Sequence, residues 1–65
     1  MKILVNGAWR EITRDELAGA LEELGYRGSV VSTAVNGEFV AATMRTRTVL
    51  AEGDRIEVLA PMQGG

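Results

Sequence analysis

A chain of 65 residues with 46% hydrophobic side chains is long enough for one domain and too apolar to be disordered. It has no cysteine and no histidine, so neither disulfides nor a Cys/His zinc set can staple it, and acid–base catalysis would fall to Asp, Glu, Lys and Tyr. Seven basic against nine acidic residues give a net charge of −2 with no basic stripe, which disfavours nucleic acid. No apolar run approaches the length of a membrane span, and residues 1–5 are too short for a signal peptide, so a soluble, cytoplasmic protein is expected.

Residues 1–6 alternate, with Met1, Ile3 and Val5 on one face and Leu4 on the other, which predicts a strand. Asn6-Gly7 marks a two-residue hairpin turn, because both central positions of a type I′ turn need positive φ. Residues 8–12 return as the second strand. Trp9 sits either on its outer face or over the core edge; the alternation allows both. Thr13-Arg14-Asp15-Glu16 has the spacing of a capping box, with the Thr13 hydroxyl accepting from the Glu16 N–H and Glu16 reaching back. Asp15 and Glu16 also bring negative charge to the positive end of the helix dipole. Leu17, Ala20, Leu21 and Leu24 then fall at i, i+3, i+4 and i+7, one apolar stripe, and Gly25 is the expected helix stop. Gly19 falls on the opposite face and costs about 1 kcal/mol relative to alanine.

Gly28 pivots a short connection into residues 30–35, whose β-branched content predicts a buried strand. Asn36-Gly37 repeats the hairpin signal and leads to Glu38-Phe39-Val40. In residues 41–50, Thr43, Thr46 and Thr48 suit a loop or edge strand, with Met44, Val49 and Leu50 as expected core anchors. Glu52-Gly53-Asp54 reads as a turn. Residues 55–60 form a final strand with Ile56 and Val58 inward and Arg55, Glu57 and Leu59 outward, ended by Pro61, which has no N–H to donate. A single amphipathic helix needs a sheet to cover its stripe, so the chain is read as a two-layer α+β domain over residues 1–60 with a flexible tail, 61–65.

The tail is the candidate for chemistry, with a chance Gly-Gly ending or a frayed terminus as the alternative. Gly64-Gly65 has no Cβ and can lie extended in a channel too narrow for other residues. An ionised terminal carboxylate on Gly65 can attack the α-phosphorus of ATP and become an acyl-adenylate, open to a sulfur or amine nucleophile. The protein is therefore expected to be acted upon. Leu59 beside the tail, with Phe39 and Met62 near the sheet edge, makes a candidate apolar docking patch; the same residues also fit scattered surface or hairpin-core positions.

The ordered set of strand, Asn-Gly turn, strand and helix, then Ala34-Val35-Asn36-Gly37-Glu38-Phe39-Val40, then Gly53-Asp54-Arg55-Ile56-Glu57-Val58 and Gly64-Gly65, resembles the ThiS family of sulfur carriers in thiamine biosynthesis across the whole chain. The resemblance implies a ubiquitin-like β-grasp: a mixed sheet of four to five strands with one helix packed across one face. It implies an E1-like adenylyltransferase that uses ATP on Gly65, a persulfide sulfur donor that turns Gly65 into a thiocarboxylate, and a thiazole synthase that takes the sulfur. Gly64 would keep the approach open, and Pro61, Met62 and Gln63 would set how the tail leaves the body. On this reading the protein is a co-substrate and not an enzyme, with no metal and no stably bound cofactor. Three alternatives stand beside it. They are the related, usually longer carrier of molybdopterin biosynthesis, a protein-conjugating modifier with Lys2 as its sole lysine for chain building, and a ubiquitin-like binding module with an incidental tail.

Overall fold

Two hairpins and one further strand build the sheet. Strands β1 (Lys2–Val5) and β2 (Ala8–Glu11) pair antiparallel, as do β3 (Ser32–Val35) and β4 (Glu38–Val40). Both turns are the expected Asn-Gly pairs. Their φ angles are +48° and +85° at Asn6 and Gly7, and +50° and +87° at Asn36 and Gly37. These left-handed values are what a type I′ turn requires, and glycine adopts them without a Cβ clash. Strand β5 (Arg55–Leu59) lies between the hairpins, parallel to β1 and antiparallel to β3, giving the order β2-β1-β5-β3-β4. A computed structural model describes these elements over residues 1–60; the expected tail, 61–65, lies outside the described residues.

The alternation along the strands separates two faces. Ile3, Val5, Ile56 and Val58 point to the side covered by α1 (Leu17–Glu23), whose Leu17, Ala20 and Leu21 complete the core with Ile12 and Leu50. Leu24, the last member of the helix stripe, is half-buried against this cluster. The mixed five-stranded sheet crossed by one helix is the arrangement expected for a β-grasp. At the helix end, Gly25 N–H donates to Glu22 O at 3.1 Å and Tyr26 N–H to Leu21 O at 2.9 Å. That pair of bonds is the Schellman pattern, so the predicted stop holds. Trp9 pairs with Leu4 and lies exposed on the outer face, which settles its two options.

The helix start differs from expectation. The Thr13–Glu16 capping box does not form: Glu16, in extended conformation, is the N-cap and makes no side-chain cap bond. Its carboxylate pairs instead with Arg14 at 2.9 Å. The first helical N–H, on Leu17, donates to Thr48 O at 2.9 Å, and Leu50 N–H donates to Asp15 O at 2.8 Å. A distant backbone segment thus supplies the partner for the first helical N–H in place of a local cap. Thr13 serves elsewhere. Its N–H and hydroxyl, with the Arg14 N–H, donate to the Glu23 carboxylate at 2.9–3.1 Å, clasping the connection to the far end of the helix. The Thr13 N–H first, then the Arg14 N–H, hold the Glu23 carboxyl below its ordinary value. Gly19 is buried, and a Cβ there would overlap the ends of the Arg14 and Glu16 side chains. Those side chains lie across it and cover this part of the helix.

Two further expectations are corrected. Val30 is exposed and outside any strand, because the β3–β5 ladder begins only at the Ser32–Leu59 pair. Residues 42–47 form neither loop nor edge strand but a 3-10 helix, Ala42–Arg47. Met44 and Val49 do not anchor it, since both are exposed; Leu50 does reach the core. The anchor is Arg45, which donates from Nε to the Thr33 hydroxyl at 3.1 Å and from Nη2 to Val31 O at 2.7 Å. Thr33 is buried and itself donates to Val40 O at 2.9 Å, so this hydroxyl in the core is bonded in both senses.

Candidate functional site

The outer face of the sheet has no covering layer among the described residues. Register places Leu4, Trp9, Arg55, Glu57, Leu59, Ser32, Ala34 and Phe39 on it, since Leu4 pairs with Trp9 and Arg55, Ser32 with Leu59, and Ala34 with both Glu57 and Phe39. Phe39 is 73% and Leu59 67% exposed. Large apolar side chains so exposed on the two strands that flank β3 are candidates for contact with a partner.

Two of the predicted docking residues, Phe39 and Leu59, are brought together. Phe39 and Leu59 line one shallow pocket of about 120 Å³, with Ser32, Ala34 and Thr33 between them and Glu57 at the side. The pocket exists because β3, the strand between β4 and β5, places only Ser32 and Ala34 on this face, short side chains flanked by an aromatic and a leucine. Sequence reasoning missed Ser32, Ala34 and Glu57. The signal was the parity of β3, but using it required the Ser32–Leu59 register, which no local pattern specifies. Leu59 is also the last residue of β5, so the patch borders the point where the chain leaves the sheet. The other predicted site residues, Pro61, Met62, Gln63, Gly64 and Gly65, lie outside the described residues.

A second concavity, about 400 Å³ and wide open, is lined by Thr13, Arg14, Gly19, Glu22, Glu23 and Arg27 in the helix layer. Its charges are largely engaged with one another: Arg14 reaches Glu16 at 2.9 Å and Glu22 at 4.0 Å, and Glu23 holds the Thr13 clasp. It is read as part of the structure. Among the described residues, no group of three or more His, Asp or Glu side chains could hold a metal ion, and no helix is long and apolar enough to cross a membrane.

Comparison with known proteins gives a consistent answer. The family model described as the ThiS family matches residues 3–65. The structure is similar to the crystal structure of the thiamine biosynthesis protein ThiS from Geobacter metallireducens, with a TM-score of 0.82 and 26% identity over the whole of both chains. A search of curated proteins finds no match. With a family match across nearly its full length and the β-grasp arrangement of its sheet and helix, the chain belongs to the ThiS family, the sulfur carriers of thiamine biosynthesis.

Proposed function

We propose that the protein carries sulfur as a thiocarboxylate on Gly65. The carboxylate of Gly65 attacks the α-phosphorus of ATP on an E1-like adenylyltransferase, and pyrophosphate leaves. A persulfide sulfur from a donor protein then attacks the acyl-adenylate carbonyl and AMP leaves, forming an acyl disulfide. A partner thiol attacks the S–S bond and leaves the thiocarboxylate, whose sulfur a thiazole synthase takes for the thiazole ring. The protein is then a co-substrate; ATP belongs to the activating partner, and the work is cytoplasmic. Gly64 keeps the approach to ATP unobstructed, since a Cβ next to the reacting carbonyl would crowd it. Phe39 and Leu59 dock the body on the activating enzyme, with Pro61, Met62 and Gln63 spanning to its ATP site. The observation that most supports this reading is that the family match runs through Gly65.

The test is mass spectrometry after incubation with the adenylyltransferase, ATP and a persulfide donor. Conversion of the carboxylate to a thiocarboxylate adds about 16 Da, nearly the same as one oxidised methionine, so the gain must be localised by fragmentation. A gain on Gly65 is expected. A gain confined to methionine, or none, overturns the proposal.

A further inference from the structure

Strand β5 needs hydrogen-bond partners on both sides, and its neighbour β1 stops short. Asp54, Ile56 and Val58 turn their backbone groups toward β1, since the Asp54 and Ile56 carbonyls accept from the Leu4 and Asn6 N–H groups, each at 2.9 Å. A continued parallel ladder would next offer Val58 a carbonyl and an N–H from the residues after Val5. The chain has by then entered the Asn6-Gly7 turn and run back as β2. The Asn6 side chain supplies both missing groups. Its Oδ1 accepts from the Val58 N–H at 2.8 Å and its Nδ2 donates to Val58 O at 3.0 Å. One primary amide stands in for a peptide unit, a task that needs a donor and an acceptor on the same short side chain.

We infer that Asn6 is a positioning residue for sulfur loading. It closes the final rung on Val58, one residue before β5 ends at Leu59, and so fixes the base from which the reacting segment departs. The inference rests on the Gly65 reading above. It concerns where the tail starts, whereas docking concerns where the body sits, so losing the rung slows the chemical step and leaves affinity for the activating enzyme unchanged.

The molecule contains its own control. Asn36 occupies the same position in the other turn and also holds β5, but at its beginning: its Oδ1 accepts from the Arg55 N–H at 2.9 Å and its Nδ2 donates to Asp54 Oδ1 at 3.0 Å. Asn6→Gly and Asn36→Gly both keep a residue suited to positive φ and both remove a side-chain latch on β5.

The experiment measures ATP-dependent loading of the full chain by its adenylyltransferase, with amide hydrogen exchange on the same proteins, well below their melting temperatures. For Asn6→Gly, exchange at Val58 is expected to rise by on the order of tenfold, with kcat down by about tenfold and KM within about twofold. For Asn36→Gly, kcat and KM are expected to stay within about twofold of wild type, with faster exchange confined to Arg55 and its neighbours. Equal loading by the two variants, or a change in KM alone, overturns the positioning role while leaving the carrier reading intact. A wild-type protein that is not loaded at all overturns the carrier reading itself, and the positioning role with it.

Discussion

Strand β5 has two sides that behave differently. Ile56 and Val58 point under the helix, at 0% and 5% exposure; Leu59, the next residue along, points to the open face at 67%. The covered face holds its residues by burial, so its composition is fixed by volume and shape. The open face keeps Trp9, Phe39 and Leu59 in water, where they add little to folding. Apolar side chains kept exposed on one face, beside a pocket built by small residues on β3, suggest that folding and docking are divided between the two sides of one sheet.

The largest effect should come from breaking the covered side. Ile56→Ala removes a fully buried side chain at the centre of the sheet and is expected to cost about 2–5 kcal/mol. A chain of this length has a total stability on the order of 3–10 kcal/mol. Thermal melting should therefore show a drop of about eight degrees or more, on the scale of roughly 4–8 °C per kcal/mol for small domains. If instead Ile56→Ala melts like the wild type, the assignment of this face as the core is wrong.

On the open side the same strand should give the opposite result. Leu59→Asp is expected to change stability by less than about 0.5 kcal/mol. It should raise KM for adenylation by about 30-fold, the equivalent of on the order of 2 kcal/mol for an interface anchor. A variant that folds and is adenylated with wild-type KM would show that Phe39 and Leu59 are ordinary surface residues.

A smaller, pH-dependent effect tests how the helix layer is kept over the covered face. Because the clasp to Thr13 and Arg14 depresses the folded-state pKa of Glu23, its stabilisation is present above the ordinary value of 4.5 and is lost as pH falls through the lower folded value. The wild type should melt above Glu23→Gln at neutral pH, and the gap should close as the pH is taken below 4.5. A gap that is constant with pH would mean that the charge on Glu23 is irrelevant to the clasp.

The smallest effect is expected at Gly19. An alanine there gains about 1 kcal/mol of helix propensity but must displace the exposed Arg14–Glu16 pair, itself worth under about 1 kcal/mol. Near-neutral stability is the expected outcome by denaturant titration. A loss above about 1.5 kcal/mol would show that the pair is a firm part of the layer.

What the sequence revealed follows from the range of each interaction. The two Asn-Gly turns, the helix stripe with its Gly25 stop, and the inward and outward residues of β5 depend on near neighbours, and all were legible. The helix start was not, because the Leu17 N–H takes its partner from Thr48, and Thr13 from Glu23. Nor was the role of Arg45, whose bonds to Thr33 and Val31 exist only after β3 is in place. Phe39 and Leu59 could be named as candidates, yet the pocket between them required the register of β3 against β5.

The position of β5 also bears on how the molecule is made. It is the last described strand in the chain and the middle strand of the sheet. Until it is available, the chain holds two hairpins whose strands are not neighbours, and Ile56 and Val58 are missing from the core. Pairing β1 with β5 closes a loop of about fifty residues, a non-local contact of the kind that slows folding. A copy cut off before Arg55 would lack the central strand and the core side chains Ile56 and Val58, and is expected to stay unfolded by circular dichroism. The order of the strands thus ties the formation of one core to the last described element of the chain.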